Sequence, residues 1–260
     1  MAQDANPDYF NGFYVGGTLS VESIKDGKDE ALAFDTDQDG DFTDAVTTVT
    51  GANAFAPGQC NGQPNGGSAT FSCGDDDQEL GYAIKVGMDR RLGDMFVAGV
   101  VLEGAKSNAV DYTTAFSSTP ASYTVAREID YSVALRGRLG ISPGDGRGLI
   151  YATGGAVYGK IDHDFTTTNT ANSFTQVNDD EWLWGAQYGV GAELYLTNNI
   201  SLNLEYLRTH FEKDDYYVAV GAGTAPATNP FLLESGGTNM RPTGRQLEVN
   251  SFRAGLNFRF

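Results

Sequence analysis

The chain has 260 residues, 33 of them glycine, and carries 34 acidic against 17 basic side chains, a net charge of −17. This acidic balance argues against a nucleic-acid partner, because a phosphate backbone is bound by clustered lysine and arginine. No apolar run approaches the ~20 residues that a membrane helix needs, and the most apolar segment, residues 95–102, ends at Glu103. A helical membrane protein is therefore excluded, whereas a transmembrane β-barrel with strands of ~9–11 residues is not.

The N-terminal hexapeptide and the two cysteines both indicate export. Residues 1–6 have no positively charged segment and no apolar stretch, so we interpret them as the start of a chain whose signal peptide has been removed. Cys60 and Cys73 lie 13 positions apart in a stretch rich in glycine, asparagine and serine. This context favours a disulfide that closes a surface loop in an oxidising compartment over a metal site or a redox pair.

Four segments in the first half of the chain alternate apolar and polar residues with the period of two that is typical of β-strands. They cover residues 13–22, 80–89, 96–103 and 129–141. The last is the clearest, since Ile129, Tyr131 and Val133 alternate with Asp130 and Ser132. The predicted connections between these strands cover residues 23–78, 92–94 and 107–127.

Four more strands are predicted in the second half of the chain. They cover residues 149–160, 182–196, 202–206 and 252–260. The run at 149–160 is apolar on both faces, so its orientation stays open. The connections that precede or separate these strands cover residues 142–147, 162–181, 197–199 and 211–246.

The connections alternate between short turns and long segments, which a soluble sandwich has no reason to do. Bacterial outer-membrane barrels have short periplasmic turns and long extracellular loops. Aromatic residues near the predicted strand ends also favour lipid contact: Phe13, Tyr14, Tyr131, Trp182, Trp184 and Tyr206. The predicted fold is therefore a single all-β domain over residues 1–260, an eight-stranded antiparallel up-and-down transmembrane barrel. Residues 1–10 would form a periplasmic N-terminal segment, and residues 23–78 a long acidic extracellular loop.

Several motifs resemble small outer-membrane β-barrel proteins of the opacity-porin and outer-membrane immunogenic type. The motifs are Phe-Tyr-Val-Gly-Gly at 13–17, Leu-Arg-Gly-Arg-Leu-Gly at 135–140, Tyr-Ala-Thr-Gly-Gly at 151–155, Gly-Val-Gly-Ala-Glu at 189–193 and Ser-Leu-Asn-Leu-Glu-Tyr at 201–206. The resemblance covers essentially all eight strands. It implies the outer membrane of a Gram-negative bacterium, insertion by the barrel-assembly machinery, and an assembly signal that includes Phe258 and Phe260. The 23–78 segment is long for this family, so any site there is not inherited from the resemblance.

The face of the strands opposite the apolar one carries charges that would point into the barrel. These residues are Lys85, Glu103, Arg136, Arg138, Glu193, Glu205 and Arg253. An eight-stranded barrel is just wide enough for side chains to fill it, and buried charges must pair. We therefore expect a salt-bridged plug that fixes strand register, or alternatively a narrow, gated ion path. Eight strands argue against a general diffusion pore, because open aqueous channels belong to barrels of about 16 strands or more.

The 23–78 segment contains eleven acids and two lysines and carries −9 of the net charge. Its densest part, residues 35–44, resembles calcium-loop motifs with the candidate ligands Asp35, Asp37, Asp39, Asp41 and Asp44, and Gly40 for the sharp turn. Val46 stands where an EF-hand has its bidentate glutamate, so the expected calcium affinity is weak. The alternative is a solvated, flexible acidic turn without an ion.

Three functions fit this sequence. The first is a non-enzymatic structural surface protein whose loops serve adhesion or other surface interactions, with outer-membrane lipid, lipopolysaccharide and surface proteins as partners. The second is a small narrow-pore porin or ion channel. The third is a lipid-modifying enzyme, which has little support because the two histidines, His163 and His210, lie at loop edges, where a lone histidine is usually solvated.

Overall fold

The computed structural model describes residues 9–24, 30–74 and 78–260. Eight long antiparallel strands form a closed barrel, because the strands at the two ends of the barrel sheet pair with each other. The barrel strands are β1 (Gly12–Ile24), β6 (Glu79–Leu92), β7 (Phe96–Lys106), β9 (Ala121–Ile141), β10 (Gly148–Thr167), β12 (Asp180–Tyr195), β13 (Ile200–Phe211) and β16 (Glu248–Arg259). The predicted eight-stranded antiparallel barrel is confirmed.

The described residues contain two short 3₁₀-helices, Ala69–Phe71 and Pro230–Leu232. Within this part of the chain, no helix has the length and apolar character needed to span a bilayer.

The barrel has a short-turn end and a cap end. At the short-turn end, the connections at 93–95, 142–147 and 196–199 join successive strands directly. At the cap end, the four remaining connections contain further strands and fold together. These strands are β2 (Leu32–Asp35), β3 (Gly58–Asn61), β4 (Gln63–Pro64), β5 (Cys73–Gly74), β8 (Val110–Ser117), β11 (Ser173–Val177), β14 (Tyr217–Gly221) and β15 (Thr238–Pro242).

Side chains along each barrel strand alternate between the interior and the outer surface. The run at 149–160, whose orientation the sequence left open, places Leu149, Tyr151 and Thr153 inside and Ile150 outside. Leu149 and Tyr151 are apolar or aromatic and yet point inward, because both belong to an apolar cluster that lies inside the barrel at its short-turn end. The two faces of this strand are therefore apolar for different reasons: one belongs to the outer surface of the barrel, and the other packs in the cluster inside it.

The short-turn end of the barrel is closed by the residues that precede β1. Phe10 is fully buried, and its backbone N–H donates to the hydroxyl of Tyr195 at 3.3 Å. The ring of Tyr9 contacts the same tyrosine with centroids 4.5 Å apart. Residues 9 and 10 of the predicted N-terminal segment thus lie inside the barrel mouth, and residues 1–8 lie outside the described part of the chain.

The cap end carries a folded cap, which we define as the strands of the four long connections together with the outer parts of β9 and β10. One sheet has the order β11-β14-β15-β2, and β8 and β3 extend the barrel sheet beyond β9. Apolar side chains from both sheets form one core between them: Leu32, Phe34, Val46, Ala54, Phe55, Ala115, Ala121, Tyr123, Val125, Tyr216, Val218, Val220, Phe231 and Met240. Five residues of the 23–78 segment belong to this core, and their burial holds the described part of the segment against the rest of the cap.

The two cysteines form the predicted disulfide within this cap. Cys60 lies on β3, which pairs with β8, and Cys73 lies on β5, which pairs with β4. The bond therefore ties the small β4–β5 hairpin to the sheet that continues from the barrel.

Candidate functional site

The first candidate site is a layer of ion pairs inside the barrel near the short-turn end. Arg138 Nε donates to Asp89 Oδ1 at 2.6 Å, and Arg138 Nη1 donates to Glu193 Oε2 at 2.9 Å. Arg259 bridges the same carboxylates, with Nη1 2.8 Å from Asp89 and Nη2 2.6 Å from Glu193. The ring of Tyr14 lies against both guanidinium groups, 4.9 Å from the Cζ of Arg138 and 4.5 Å from that of Arg259. Two cations and two anions thus form a closed, neutral square, as buried charges require.

A second ion layer lies nearer the middle of the barrel. Glu103 accepts hydrogen bonds from Arg136 Nη2 at 2.8 Å and from Arg253 Nη1 at 2.5 Å. Glu205 lies 3.6 Å from Lys85 Nζ and 3.9 Å from Arg136 Nη2. All five side chains are almost fully buried, so this layer places three cations and two anions together inside the barrel.

Neutral groups and one further acid complete the second layer. The Tyr151 hydroxyl donates to Glu205 Oε1 at 2.8 Å, and Asn203 Nδ2 donates to the Tyr151 hydroxyl at 2.6 Å. Glu22 lies 3.7 Å from Arg253 Nη2. A cavity of about 20 Å³ beside Glu22 and Arg253 has room for about one water molecule.

The structure places all seven residues of the predicted charge network inside the barrel, in these two layers. It adds three charged residues that the prediction omitted: Glu22, Asp89 and Arg259. The sequence could have indicated these three residues, because the alternation along each strand places them on the face that points into the barrel. Tyr14, which the sequence predicts to face lipid, points into the barrel instead and is only 1% exposed. Its ring packs on the arginines of the first layer.

The outer face of the barrel is apolar around its whole circumference. Phe13 is 64% exposed, Ile84 73% and Phe252 69%. An exposed apolar surface of this extent is rare on soluble monomeric proteins. Aromatic side chains form a belt near the cap end, where the ring of Tyr158 stacks on Trp182 at 5.1 Å and contacts Trp184 at 4.8 Å. The five remaining predicted strand-end aromatics lie on this outer face: Phe13, Tyr131, Trp182, Trp184 and Tyr206.

An apolar exterior over a charged interior is the reverse of a soluble barrel and is what a lipid bilayer demands. The family model described as "Outer membrane protein beta-barrel domain" matches residues 1–260. The chain belongs to this outer-membrane β-barrel family. Its place in the cell is therefore the outer membrane.

Comparison with individual proteins agrees with this assignment. The chain is 29% identical over 133 residues to the 31 kDa outer-membrane immunogenic proteins of Brucella melitensis biotype 1 and Brucella suis biovar 1. The match covers 51% of this chain and 47% of each relative, so the chain spans about half the length of these curated relatives. This finding agrees with the resemblance drawn from the strand motifs.

Among solved structures, the outer membrane protein OprG from Pseudomonas aeruginosa superposes with a TM-score of 0.50 at 12% identity, covering 99% of this chain and 100% of that one. Ail, the attachment invasion locus protein of Yersinia pestis, gives a TM-score of 0.40 at 12% identity over 96% of this chain and 99% of its own. At this identity, the OprG match supports the barrel fold alone.

The second candidate site is the acidic turn, residues 35–44, at the edge of the cap. Of the five predicted calcium ligands, three lie together: carboxylate oxygens of Asp35, Asp37 and Asp44 are within 4.8 Å of one another. Asp39 and Asp41 lie outside this group. Gly40 has a φ of +93°, a backbone conformation that favours glycine.

Donors within the cap already engage all three clustered carboxylates. Asp35, which is fully buried, accepts hydrogen bonds from the backbone N–H groups of Asp39 and Gly40. Asp44 Oδ2 accepts from the backbone N–H and the hydroxyl of Thr36, and these bonds lower the pKa of Asp44. For Asp37, the backbone N–H of Asp39 lowers the pKa, but desolvation and the neighbouring carboxylates outweigh it and raise the pKa. The cluster is thus partly compensated without an ion.

Val46, at the position where an EF-hand has its last ligand, is 1% exposed and belongs to the cap core. Its side chain therefore has a packing role, which accounts for the departure from the calcium-loop pattern.

His163 differs from the solvated loop residue that the sequence suggested. The side chain of His163 is 1% exposed, its Nε2 lies 3.4 Å from Asp214 Oδ2, and its ring stacks on Tyr216 at 4.2 Å. His163 is therefore a packed residue between barrel and cap. His210 is partly exposed, and its Nδ1 lies 3.2 Å from Glu248.

The predicted assembly residues lie on the outer face at the short-turn end. Phe258 is 46% and Phe260 72% exposed, and their rings meet edge to face at 5.1 Å. The backbone N–H of Phe260 donates to the carbonyl of Phe13 at 3.0 Å. The last residues thus extend the β1–β16 seam.

Proposed function

We propose that this protein is a non-enzymatic structural protein whose sealed barrel anchors a folded cap on the cell surface, where the cap serves adhesion or other surface interactions. The observation that carries the proposal is that the barrel interior is filled while the cap has a hydrophobic core of its own. Two ion layers occupy the interior, Tyr9 and Phe10 block one mouth, and an apolar cluster blocks the other. That cluster consists of Ile129, Ala134, Val157, Ile161, Phe211, Leu247 and Val249.

The cap would face outward, because long connections of outer-membrane barrels are extracellular and short turns are periplasmic. The name of the Brucella relatives, immunogenic proteins, supports a surface that antibodies reach. Lipopolysaccharide is the proposed partner at the membrane boundary. Lys106 lies there over the ring of Tyr131 at 4.5 Å, and Lys160 lies on a strand adjacent to that tyrosine. Asp130, Asp162 and Asp180 pair with these two lysines, so a lipid phosphate would have to displace carboxylates to bind them.

Labelling of intact cells tests this orientation. Ala227 is exposed in the cap and Asn198 is exposed in a turn at the short-turn end, so Ala227→Cys and Asn198→Cys form a matched pair. A membrane-impermeant maleimide should label the cysteine at 227 on intact cells and the cysteine at 198 only after permeabilisation. Labelling at 198 but not at 227 on intact cells would contradict surface display.

A narrow ion channel is the second candidate, and the continuity of the two ion layers along the barrel favours it. The seals at both mouths and the pairing of the interior charges oppose it. A lipid-modifying enzyme is the third candidate, and His163 gives it little support because its ring is buried. Mass spectrometry of lipid A from cells with and without the protein would decide that point.

We also propose that Phe258 and Phe260 help the barrel-assembly machinery recognise the chain. Phe260→Ala should lower the amount of protein in the outer membrane severalfold, because it removes an exposed ring at the β1–β16 seam. Phe252→Ala, which removes a lipid-facing phenylalanine further along the same strand, is the control and should leave that amount nearly unchanged. Equal amounts of both variants, measured on outer-membrane fractions, would remove the proposed role.

For the acidic turn, we propose a weak calcium site formed by Asp35, Asp37 and Asp44, with a dissociation constant of ~10⁻⁴–10⁻³ M. Calcium should then give a saturable heat in calorimetry and should slow protease cleavage of the turn, because it relieves repulsion among the carboxylates. Asp37→Asn should abolish both effects, whereas Asp145→Asn in a short turn should not. An unchanged heat and cleavage rate at millimolar calcium would leave the plain acidic turn as the correct description.

A further inference from the structure

A cavity of about 290 Å³ opens at the surface of the cap where all four long connections meet. Each connection contributes to its lining, with Val46, Ala54 and Phe55 from the first and residues 117–121, 168–171 and 229–231 from the others, and Tyr123 from the outer part of β9 completes it. Its floor is buried, and the residues at its rim, such as Thr119 and Thr170, are exposed. The cavity is thus a product of the folded cap, and its volume is near the lower end of the ~300–1,000 Å³ typical of small-molecule sites.

The floor of this cavity is aromatic and rigidly packed. Phe55, Tyr123 and Phe231 are each at most 5% exposed. Their rings contact one another edge to face, with centroids 5.3 to 5.8 Å apart. A floor of this kind offers a fixed apolar surface to a ligand without the loss of side-chain freedom that a flexible lining would impose.

The rim of the cavity is polar but uncharged. The hydroxyl groups of Ser118, Thr119 and Thr170 form no hydrogen bond with any residue that the structure describes. The side-chain amide of Asn169 is already used within the cap, because its Nδ2 donates to the Tyr123 hydroxyl at 2.9 Å and to Asn172 Oδ1 at 3.0 Å. The rim hydroxyls can both donate and accept hydrogen bonds, which suits a ligand that carries many hydroxyl groups.

The absence of charge in the described lining selects the class of ligand. The protein has a net charge of −17, yet the described lining contains no Asp, Glu, Lys, Arg or His. A charged ligand would lose its hydration in the cavity without gaining a counter-charge. A purely apolar ligand would displace water from the rim hydroxyls without offering them new hydrogen bonds. A neutral sugar has apolar C–H faces and a periphery of hydroxyls, which match the floor and the rim respectively.

We infer that this cavity binds one or two rings of a neutral saccharide. The inference deepens the proposed surface function, since it names what the cap would recognise, and it rests on the cap facing outward. Neutral sugars that would fit this cavity occur in two places: in the cell's own lipopolysaccharide and in the glycans of another cell.

Calorimetric titration of the purified protein, in a detergent without a sugar headgroup, tests the site. The probes are maltose, lactose and N,N′-diacetylchitobiose, with glucuronic acid as the charged comparator. At least one neutral disaccharide should bind saturably, and glucuronic acid should not. Thr119→Trp should lower the affinity at least tenfold by filling the mouth, whereas Thr43→Trp, at another exposed cap threonine, should leave it unchanged.

Failure of all three disaccharides to bind would overturn the inference. Binding that survives Thr119→Trp, or equal binding of glucuronic acid, would also overturn it. The maleimide labelling of intact cells does not depend on these results, so loss of the saccharide site is distinguishable from loss of surface display. Competition by lipopolysaccharide only when it carries its O-polysaccharide would support the site and assign it to the cell's own glycan. Binding without such competition would support the site and assign it to foreign glycans.

Discussion

Glu193→Ala is expected to lower the free energy of unfolding of the barrel by about 3–5 kcal/mol, the effect of removing one partner from a buried ion pair. Glu193 pairs with both Arg138 and Arg259, and both arginines are almost fully buried. Without it, two guanidinium groups share the single carboxylate of Asp89. Urea unfolding of the protein in lipid vesicles measures the change.

Two further variants separate charge imbalance from simple loss of a side chain. Glu128→Ala removes an exposed acid from β9 and should change stability by at most about 0.5 kcal/mol. Glu193→Ala combined with Arg259→Met leaves Arg138 with Asp89 as a balanced pair, so the double variant should be less destabilised than the sum of the single variants. Strict additivity would indicate that the first ion layer does not act as a unit.

The second large effect is expected in the cap. Phe34→Ala should destabilise the cap by about 3–5 kcal/mol, because it leaves a cavity in a closely packed core. Phe34 is 5% exposed and its ring lies 4.5 Å from that of Phe55. The barrel should stay folded, since its strand pairing does not include β2. Limited proteolysis should therefore cut the cap much faster and leave a protected barrel fragment.

Phe42→Ala provides the matched control from the same connection. The Phe42 ring is only half-buried and lies over Arg241 at the cap surface, so its removal should accelerate cleavage far less. If Phe34→Ala leaves the cleavage rate unchanged, the cap does not depend on the core described here. If it also unfolds the barrel, cap and barrel form one cooperative unit.

The barrel could be predicted from the sequence because each strand separates two environments, so that apolar and polar residues alternate strictly along it. Each spanning residue meets either lipid or the crowded interior, so Ile84 outside and Lys85 inside differ sharply in polarity. The prediction failed where the interior is not polar. Leu149 and Tyr151 face the apolar cluster around Phe10, and Tyr14 packs on arginines, so polarity gave a misleading or ambiguous signal at these positions.

The cap could not be predicted because its contacts are non-local. Strand β2 pairs with β15, more than 200 positions away in the chain, and each strand is only four or five residues long. Local alternation in so short a segment does not distinguish a strand from a loop. The burial of Asp35 and His163 could not be predicted for the same reason, because the groups that surround them, such as Asn239 and Tyr216, come from distant connections.

Single-channel recording of the purified protein in a planar lipid bilayer tests the central claim, a barrel that is sealed and serves to anchor its cap. The sealed barrel predicts no stable openings, and the same result for Glu205→Ala and Arg253→Ala. Stable openings of the unaltered protein that vanish in either variant would contradict the account. They would assign the interior charges to an ion path instead.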